Sequence, residues 1–147
     1  MNATDMRIQA LLDKLREEIG SDLSSLAVVD PRDRHTRWRW ASGNRNDRYL
    51  SIRIRHGQGF EGEVVKVGRA LAWNDANGNS GGNLYAGYSI LLTERLRSAF
   101  AAPVMAGTEV AGILLAGDRG PRAYGNGERE AVLRTSREMA EIVRGLV

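Results

Sequence analysis

The sequence predicts an α+β sandwich, in which a central antiparallel sheet carries the N- and C-terminal helices on one face. Three observations support this prediction. Apolar residues recur at helical spacing near both ends of the chain, apolar and polar residues alternate in short segments between them, and glycine-rich turns separate these segments. Helices gathered on one face of an antiparallel sheet bury the apolar sides of both elements. Two further short helices are predicted between strands, so we expect them to cover the other face and leave a pocket there.

The composition is that of one globular domain spanning residues 1–147. Hydrophobic residues make up 42% of the chain and charged residues 27%. The apolar runs are too short to cross a bilayer and the N-terminus lacks the pattern of a secretory signal, so we expect a cytoplasmic protein that uses no membrane. The absence of cysteine excludes disulfides, thiolate metal ligands and thiol catalysis.

The first predicted helix runs from Asp5 to Ile19. Either Thr4 or Asp5 can cap its start, and Gly20 is suited to end it.

The last predicted helix begins at Asn126. Its apolar residues Val132, Met139 and Leu146 recur every seven positions, as an interhelical seam requires. Packing on the sheet within one chain accounts for most of this pattern, and a homodimer through the terminal helices is the alternative.

Five strands are predicted between these helices, together with a brief extended piece at Ala70–Trp73. The strands are Leu26–Asp30, Thr36–Ala41, Tyr49–Arg55, Ser98–Ala106 and Glu109–Asp118. In the second strand, strict alternation would place Trp38 and Trp40 on one face and the arginines between them on the other.

The chain changes periodicity at the glycine turn Gly57–Gly62. A strand ends there and a short helix is predicted over Phe60–Val67, stopped by Gly68. The free N–H groups at such a helix start and the helix dipole can bind an anion, although a plain structural turn is the alternative. A second short helix is predicted from Tyr88 to about Arg97. The Asn74–Gly87 segment before it is interpreted as a lid or as a disordered insertion.

All but two of the 21 basic residues are arginine, and many lie between positions 32 and 55. They could attract an anionic partner. Their alternate spacing favours a solvated sheet face over nucleic-acid binding, and no nucleic-acid-binding motif accompanies them.

No catalytic or metal-binding pattern is found. The two histidines, His35 and His56, lack the acidic or nucleophilic neighbours of a catalytic triad or a metal site. We therefore expect a protein that is not an enzyme and holds no metal or cofactor.

Three motifs resemble those of GAF domains, and the resemblance extends over nearly the whole chain. They are the turn Gly57–Gly62, the hairpin segments Ala102–Val104 and Val110–Leu114, and the helix start Asn126–Glu128. The resemblance implies the GAF fold. It does not imply one ligand, because members of that family bind cyclic nucleotides, tetrapyrroles, haem, amino acids, small anions or nothing. The cyclic-nucleotide motif is missing here, and the tetrapyrrole-attaching and methionine-sulfoxide-reducing members need cysteines.

A narrower resemblance is carried by Trp38–Asn44, by Arg48 with Tyr49, and by the glycine turn. These segments are similar to the stand-alone GAF nitrate receptors of Gram-positive bacteria, which act with an oxygen-responsive histidine kinase and its response regulator. The resemblance implies that nitrate is held by the indole N–H of Trp38 and by backbone N–H groups at two helix starts. The residues implied at the first helix are Phe60 and Glu61, and those at the second are Tyr88, Ser89 and Ile90.

Such a site suits the chemistry of nitrate, which is planar, monovalent and weakly hydrated, and needs donors rather than a full opposing charge. We expect an apolar pocket lined by Trp40, Leu71 and Leu92. Two positions depart from the resemblance. Glu61 stands where a small residue is expected, so its side chain should point away from the ligand, and Ser89 stands where proline would also start a helix and should act as its cap.

These expectations combine into a non-catalytic sensor that binds a small anion, which the resemblance implies is nitrate, and that modulates a sensor histidine kinase. The alternatives are a GAF domain that binds an organic small molecule and a dimerisation or scaffold module with an empty pocket.

Overall fold

The computed structural model describes residues 2–74 and 89–146. Four α-helices, six strands and two 3₁₀ turns make up this part of the chain. In chain order they are α1 (Ala3–Ile19), β1 (Leu23–Val29), β2 (Thr36–Ser42), a 3₁₀ turn (Arg48–Ser51), β3 (Arg53–Ile54), α2 (Gly59–Val67), β4 (Leu71–Asn74), α3 (Ile90–Thr93), β5 (Ser98–Ala106), β6 (Glu109–Asp118), α4 (Asn126–Val143) and a 3₁₀ turn (Arg144–Leu146).

The strands form one antiparallel sheet in the order β3-β2-β1-β6-β5-β4. Helices α1 and α4 pack on one face, where their apolar residues join those of β1, β5 and β6 in a buried cluster. Helices α2 and α3 cover the other face around a second buried cluster. The predicted α+β sandwich is therefore confirmed. Among the described residues, every helix is too short or too polar to cross a membrane.

Helix α1 starts two residues earlier than predicted, because Asn2 and not Thr4 or Asp5 caps it. The Asn2 side-chain oxygen accepts a hydrogen bond from the backbone N–H of Asp5 at 2.8 Å. Gly20 ends the helix in the left-handed conformation, as predicted.

The prediction of a third strand over Tyr49–Arg55 is wrong for most of this segment. The chain forms a 3₁₀ turn and then only a two-residue strand. Side chains three residues apart lie on the same side of such a turn, so Tyr49 and Ile52 are both buried while Leu50 is 54% exposed. The alternation of Leu50, Ile52 and Ile54 thus reflected two elements rather than one strand.

Trp38 and Trp40 lie on opposite faces of the sheet, which corrects the prediction that they share one. Opposite β1, Trp40 pairs with Leu26 and Trp38 pairs with Ala27, so Arg39 is the extra residue of a β-bulge. The bulge reverses the alternation between the two tryptophans. Trp40 consequently packs under α1 and α4, and its indole N–H donates to Asp5 at 2.9 Å, whereas Trp38 packs beneath α2 and α3.

Two arginines of the β1–β2 hairpin are paired with aspartates, and a third stacks on an aromatic ring. Arg37 contacts Asp33 at 2.7 Å, Arg32 contacts Asp30 at 3.1 Å, and the guanidinium of Arg39 stacks on the ring of Trp40. These contacts fit the interpretation of a solvated face.

Helix α4 begins at Asn126 as predicted, and the two predicted heptad residues that lie within it, Val132 and Met139, face its own chain. Val132 and Met139 are fully buried against the sheet and α1. Their spacing is therefore explained by packing within one chain and gives no support to a homodimer.

Helix α3 ends at Thr93, well before the predicted Arg97, because Arg95 adopts a left-handed backbone conformation with φ 54°. The following segment is anchored by the fully buried side chain of Glu94. Its Oε1 accepts hydrogen bonds from Arg119 Nη2 at 2.6 Å and from the backbone N–H of Arg45 at 2.9 Å. This ion pair ties the end of α3 to the end of β6.

Replacing Arg119 with alanine is expected to destabilise the fold by about 2 kcal/mol or more, because it leaves the buried Glu94 carboxyl without its cationic partner. Urea denaturation measures this loss. The matched control is Arg137→Ala, which breaks an exposed pair with Glu130 and should cost less than about 1 kcal/mol. Equal losses for the two variants would show that the buried pair does not anchor α3.

Candidate functional site

A buried carboxyl group occupies the space between α2, α3 and β2. It belongs to Glu61, the third residue of α2, whose side chain is 1% exposed. Its Oε2 accepts hydrogen bonds from Trp38 Nε1 at 3.2 Å and from the backbone N–H of Ile90 at 2.8 Å. Its Oε1 lies 2.7 Å from Ser89 Oγ. Donors from β2 and from the start of α3 therefore converge on one carboxyl group of α2.

The glycine turn before α2 directs Glu61 inward. Gly57 and Gly59 both have positive φ, at 78° and 65°, which only glycine adopts readily. The turn packs closely on the first turn of the helix: the Gly57 N–H donates to the Gly62 carbonyl, and a Cβ on Gly62 would lie 2.7 Å from the Gly57 carbonyl carbon. This close packing fixes the start of α2 and thereby the backbone position from which the Glu61 side chain projects toward the sheet.

Ser89 joins α3 to the carboxyl group. Its Oγ accepts a hydrogen bond from the backbone N–H of Leu91 at 3.1 Å, which confirms the predicted cap. With that bond made, the hydroxyl hydrogen is free to point to Glu61 Oε1. Ser89 and Ile90 are both buried, so the two donors are shielded from solvent.

Two opposing influences act on the charge of Glu61. Burial raises the pKa of its carboxyl group, and the hydrogen bonds from Ile90, Ser89 and Trp38 offset only part of that rise. The Trp38 indole and the Ile90 amide can only donate, so Oε2 remains an acceptor in either charge state. A proton on the carboxyl group must therefore sit on Oε1, facing Ser89.

This arrangement can hold one planar oxyanion. Carboxylate and nitrate both present oxygens about a planar centre, and donors on two sides can bind either of them. In the structure, the oxyanion in contact with the donors is the protein's own. Within the described part of the chain, no group of acidic and histidine side chains could hold a metal ion.

The structure brings together four of the predicted site residues, Trp38, Glu61, Ser89 and Ile90. Phe60 is buried in the cluster beneath α2, and Tyr88 lies outside the described residues. The prediction that the Glu61 side chain points away is wrong, because the convergent donors compensate for the loss of its hydration. Its inward position could have been found from helical spacing, since Val64 and Val65, three and four residues later, are also buried.

The predicted pocket lining is also corrected. Trp40 lies on the other face of the sheet because of the bulge at Arg39, and Leu92 is 58% exposed because it lies on the outer side of the short helix α3. Leu71 is partly buried against the cluster on the site's face. The predicted lid, Asn74–Gly87, lies outside the described residues apart from Asn74.

Comparison with known proteins gives structural matches, whereas no family model and no curated protein matches the sequence. Two of the matches show the fold alone. A GAF domain from an Acinetobacter phosphoenolpyruvate-protein phosphotransferase has a TM-score of 0.81 at 14% identity, over 99% of this chain and 84% of that one. A type II free methionine-R-sulfoxide reductase from Thermoplasma acidophilum has a TM-score of 0.76 at 17% identity, over 97% and 93%.

A third match is much more similar in sequence. NreA from Staphylococcus aureus, in a form mutated in its nitrate-binding site, is 33% identical to this chain with a TM-score of 0.72. The match covers 83% of this chain and 93% of that protein. Identity at this level over most of both chains indicates common descent, and the chain therefore belongs to the NreA family of GAF-fold proteins.

Proposed function

We propose that this protein is a receptor for a small oxyanion, with nitrate as the ligand, and that it regulates a sensor histidine kinase. The observation that carries the proposal is the convergence of Trp38 Nε1, Ser89 Oγ and the Ile90 N–H on one oxyanion. Membership of the NreA family supports nitrate as that ligand, since the S. aureus relative is described by its nitrate-binding site.

The charge of the site favours a weakly hydrated monovalent anion. Its donors are an indole, a hydroxyl and backbone amides, and none of them carries a full positive charge. A strongly hydrated or divalent anion would lose more hydration energy on burial than these neutral donors return. Nitrate loses less, and its three oxygens can accept from donors on different sides.

Nitrate can reach these donors only after the Glu61 carboxyl group has left them. The indole nitrogen and the amide nitrogen carry one hydrogen each, and both hydrogens are directed at Oε2 of Glu61. Binding is therefore an exchange of one oxyanion for another.

The wider role is supported by the resemblance to the stand-alone GAF nitrate receptors and not by a contact within this chain. We propose a cytoplasmic receptor that is not an enzyme and that passes the state of its site to the kinase by a change in affinity. A homodimer through the terminal helices is a further proposal, which no contact of the described residues supports.

A second candidate has one observation in its favour. The oxyanion that the donors hold in the structure is a carboxylate, so a small organic acid would also satisfy them. Acetate and formate are the probes for this alternative. A scaffold module without any ligand is the third candidate, and it predicts no binding at all.

Titration of the purified protein with nitrate is expected to give saturable one-to-one binding by calorimetry, with no comparable heat from chloride, acetate or formate. In parallel NMR spectra, the indole N–H signal of Trp38 should change its chemical shift, because its hydrogen-bond acceptor changes. The indole N–H of Trp40 donates to Asp5 on the other face, so its chemical shift should not change. Saturation by acetate in place of nitrate would favour the organic-acid candidate. Binding that leaves the Trp38 signal unchanged would place the ligand elsewhere.

Binding of the partner kinase is expected to change the affinity for nitrate, because coupling between two sites is reciprocal. The measurement is the same nitrate titration with and without saturating kinase, and a change of about fivefold or more is expected. An identical nitrate affinity in both titrations would contradict regulation through this site.

A further inference from the structure

The donors of the site are engaged by a group that belongs to the protein itself. From this geometry we infer that Glu61 is a tethered competitor: its carboxylate occupies the oxyanion site until an external anion displaces it, and Glu61 thereby sets the affinity of the receptor. The inference rests on the proposed function, in that the external anion uses the same donors. It goes beyond that function in naming Glu61 as an internal occupant of the site and as the residue that sets the affinity for the external anion.

The two oxyanions exclude each other for two reasons. The first is the number of hydrogens, since neither Trp38 nor Ile90 can donate to Glu61 and to a second acceptor at full strength. The second is charge. Two negative charges in contact within a buried site repel each other strongly, because little solvent screens them. Occupancy is therefore one or the other.

The tether makes Glu61 an effective competitor. It lies at the start of a helix that the glycine turn holds in place, so its carboxylate is always near the donors. Its effective concentration there does not depend on the concentration of any free molecule. If it fills the site in nine of ten molecules, the apparent affinity for an external ligand falls about tenfold. A small residue at position 61 would remove this reduction.

The charge state of Glu61 decides how well it competes. Among the described contacts, no charged side chain of the neighbouring elements hydrogen-bonds to Glu61. The charged residues on α2, on β2 and at the end of α3 are Glu63, Lys66, Arg37, Arg39, Glu94 and Arg95. Arg37 is paired with Asp33 and Glu94 with Arg119. Burial and the local hydrogen bonds therefore govern the titration of Glu61.

The central experiment compares nitrate binding to the full chain with that to the Glu61→Ala variant. We expect the variant to bind nitrate at least about tenfold more tightly, because the donors no longer have an internal partner. Calorimetry gives the affinities. The rise in unfolding temperature at a fixed nitrate concentration provides a second readout, and it should be larger for the variant.

The matched control is Val64→Ala, which shortens another fully buried side chain on the same helix and leaves the carboxyl group in place. Its nitrate affinity should equal that of the unmodified chain. A gain in affinity for Val64→Ala as large as that for Glu61→Ala would mean that any cavity under α2 raises affinity, and it would overturn the inference.

The outcomes separate this inference from the proposed function. Equal nitrate affinity for the unmodified chain and for Glu61→Ala overturns the competitor and leaves the nitrate receptor intact. If Glu61→Ala binds nitrate and the unmodified chain does not, the competitor is supported and nitrate is not the ligand of the unmodified chain. Absence of binding by both overturns the proposed function, and the inference with it.

A pH series with Glu61→Gln tests the inference in a protein of nearly unchanged shape. Because burial raises the pKa of Glu61, the carboxyl group is ionised at high pH and becomes neutral as the pH falls through that value. A neutral carboxyl group accepts hydrogen bonds more weakly, so nitrate affinity of the unmodified chain should rise as pH falls. The affinity of Glu61→Gln should not change over the same range. Parallel pH profiles for the two proteins would overturn the inference.

Discussion

The contact on which this side of the molecule depends is the set of hydrogen bonds around the Glu61 carboxyl group. A buried carboxyl group without partners would cost several kcal/mol, so the segments that supply its donors must stay together for the fold to tolerate it. One donor comes from β2, one from the residue before α3 and one from the first residue of α3. The same bonds that satisfy the carboxyl group therefore fix two short elements on the sheet.

The two faces of the sheet differ in the length of the elements that cover them. Both faces enclose a large apolar cluster. Helices α1 and α4 have 17 and 18 residues, whereas α2 and α3 have nine and four. The short elements are also joined by buried polar contacts, which are the hydrogen bonds to Glu61 and the Glu94–Arg119 ion pair. Loss of one such contact therefore removes a larger share of what holds α3 in place than the loss of one apolar contact removes from α1 or α4.

The sequence predicted the parts of the fold that depend on local pattern. The strands Ser98–Ala106 and Glu109–Asp118 were predicted with their observed bounds, because a tight turn and regular spacing define both of them. The errors arose where tertiary contacts override the pattern. Helical spacing agrees with a buried Glu61, but the donors that its carboxyl group contacts are distant in sequence. The short length of α3 depends on a left-handed residue, Arg95, that no composition rule indicates.

The β-bulge at Arg39 has a consequence for comparing this chain with its relatives. Two tryptophans stand two positions apart in β2, yet only one supplies the indole of the site, and a single extra residue decides which. A one-residue gap placed carelessly in an alignment would exchange the two columns. The tryptophan that donates to Glu61 would then be assigned to the core under α1 and α4, and the tryptophan of that core to the site. In this family, the placement of insertions within β2 therefore has to be settled in three dimensions before the residue at the site can be compared between members.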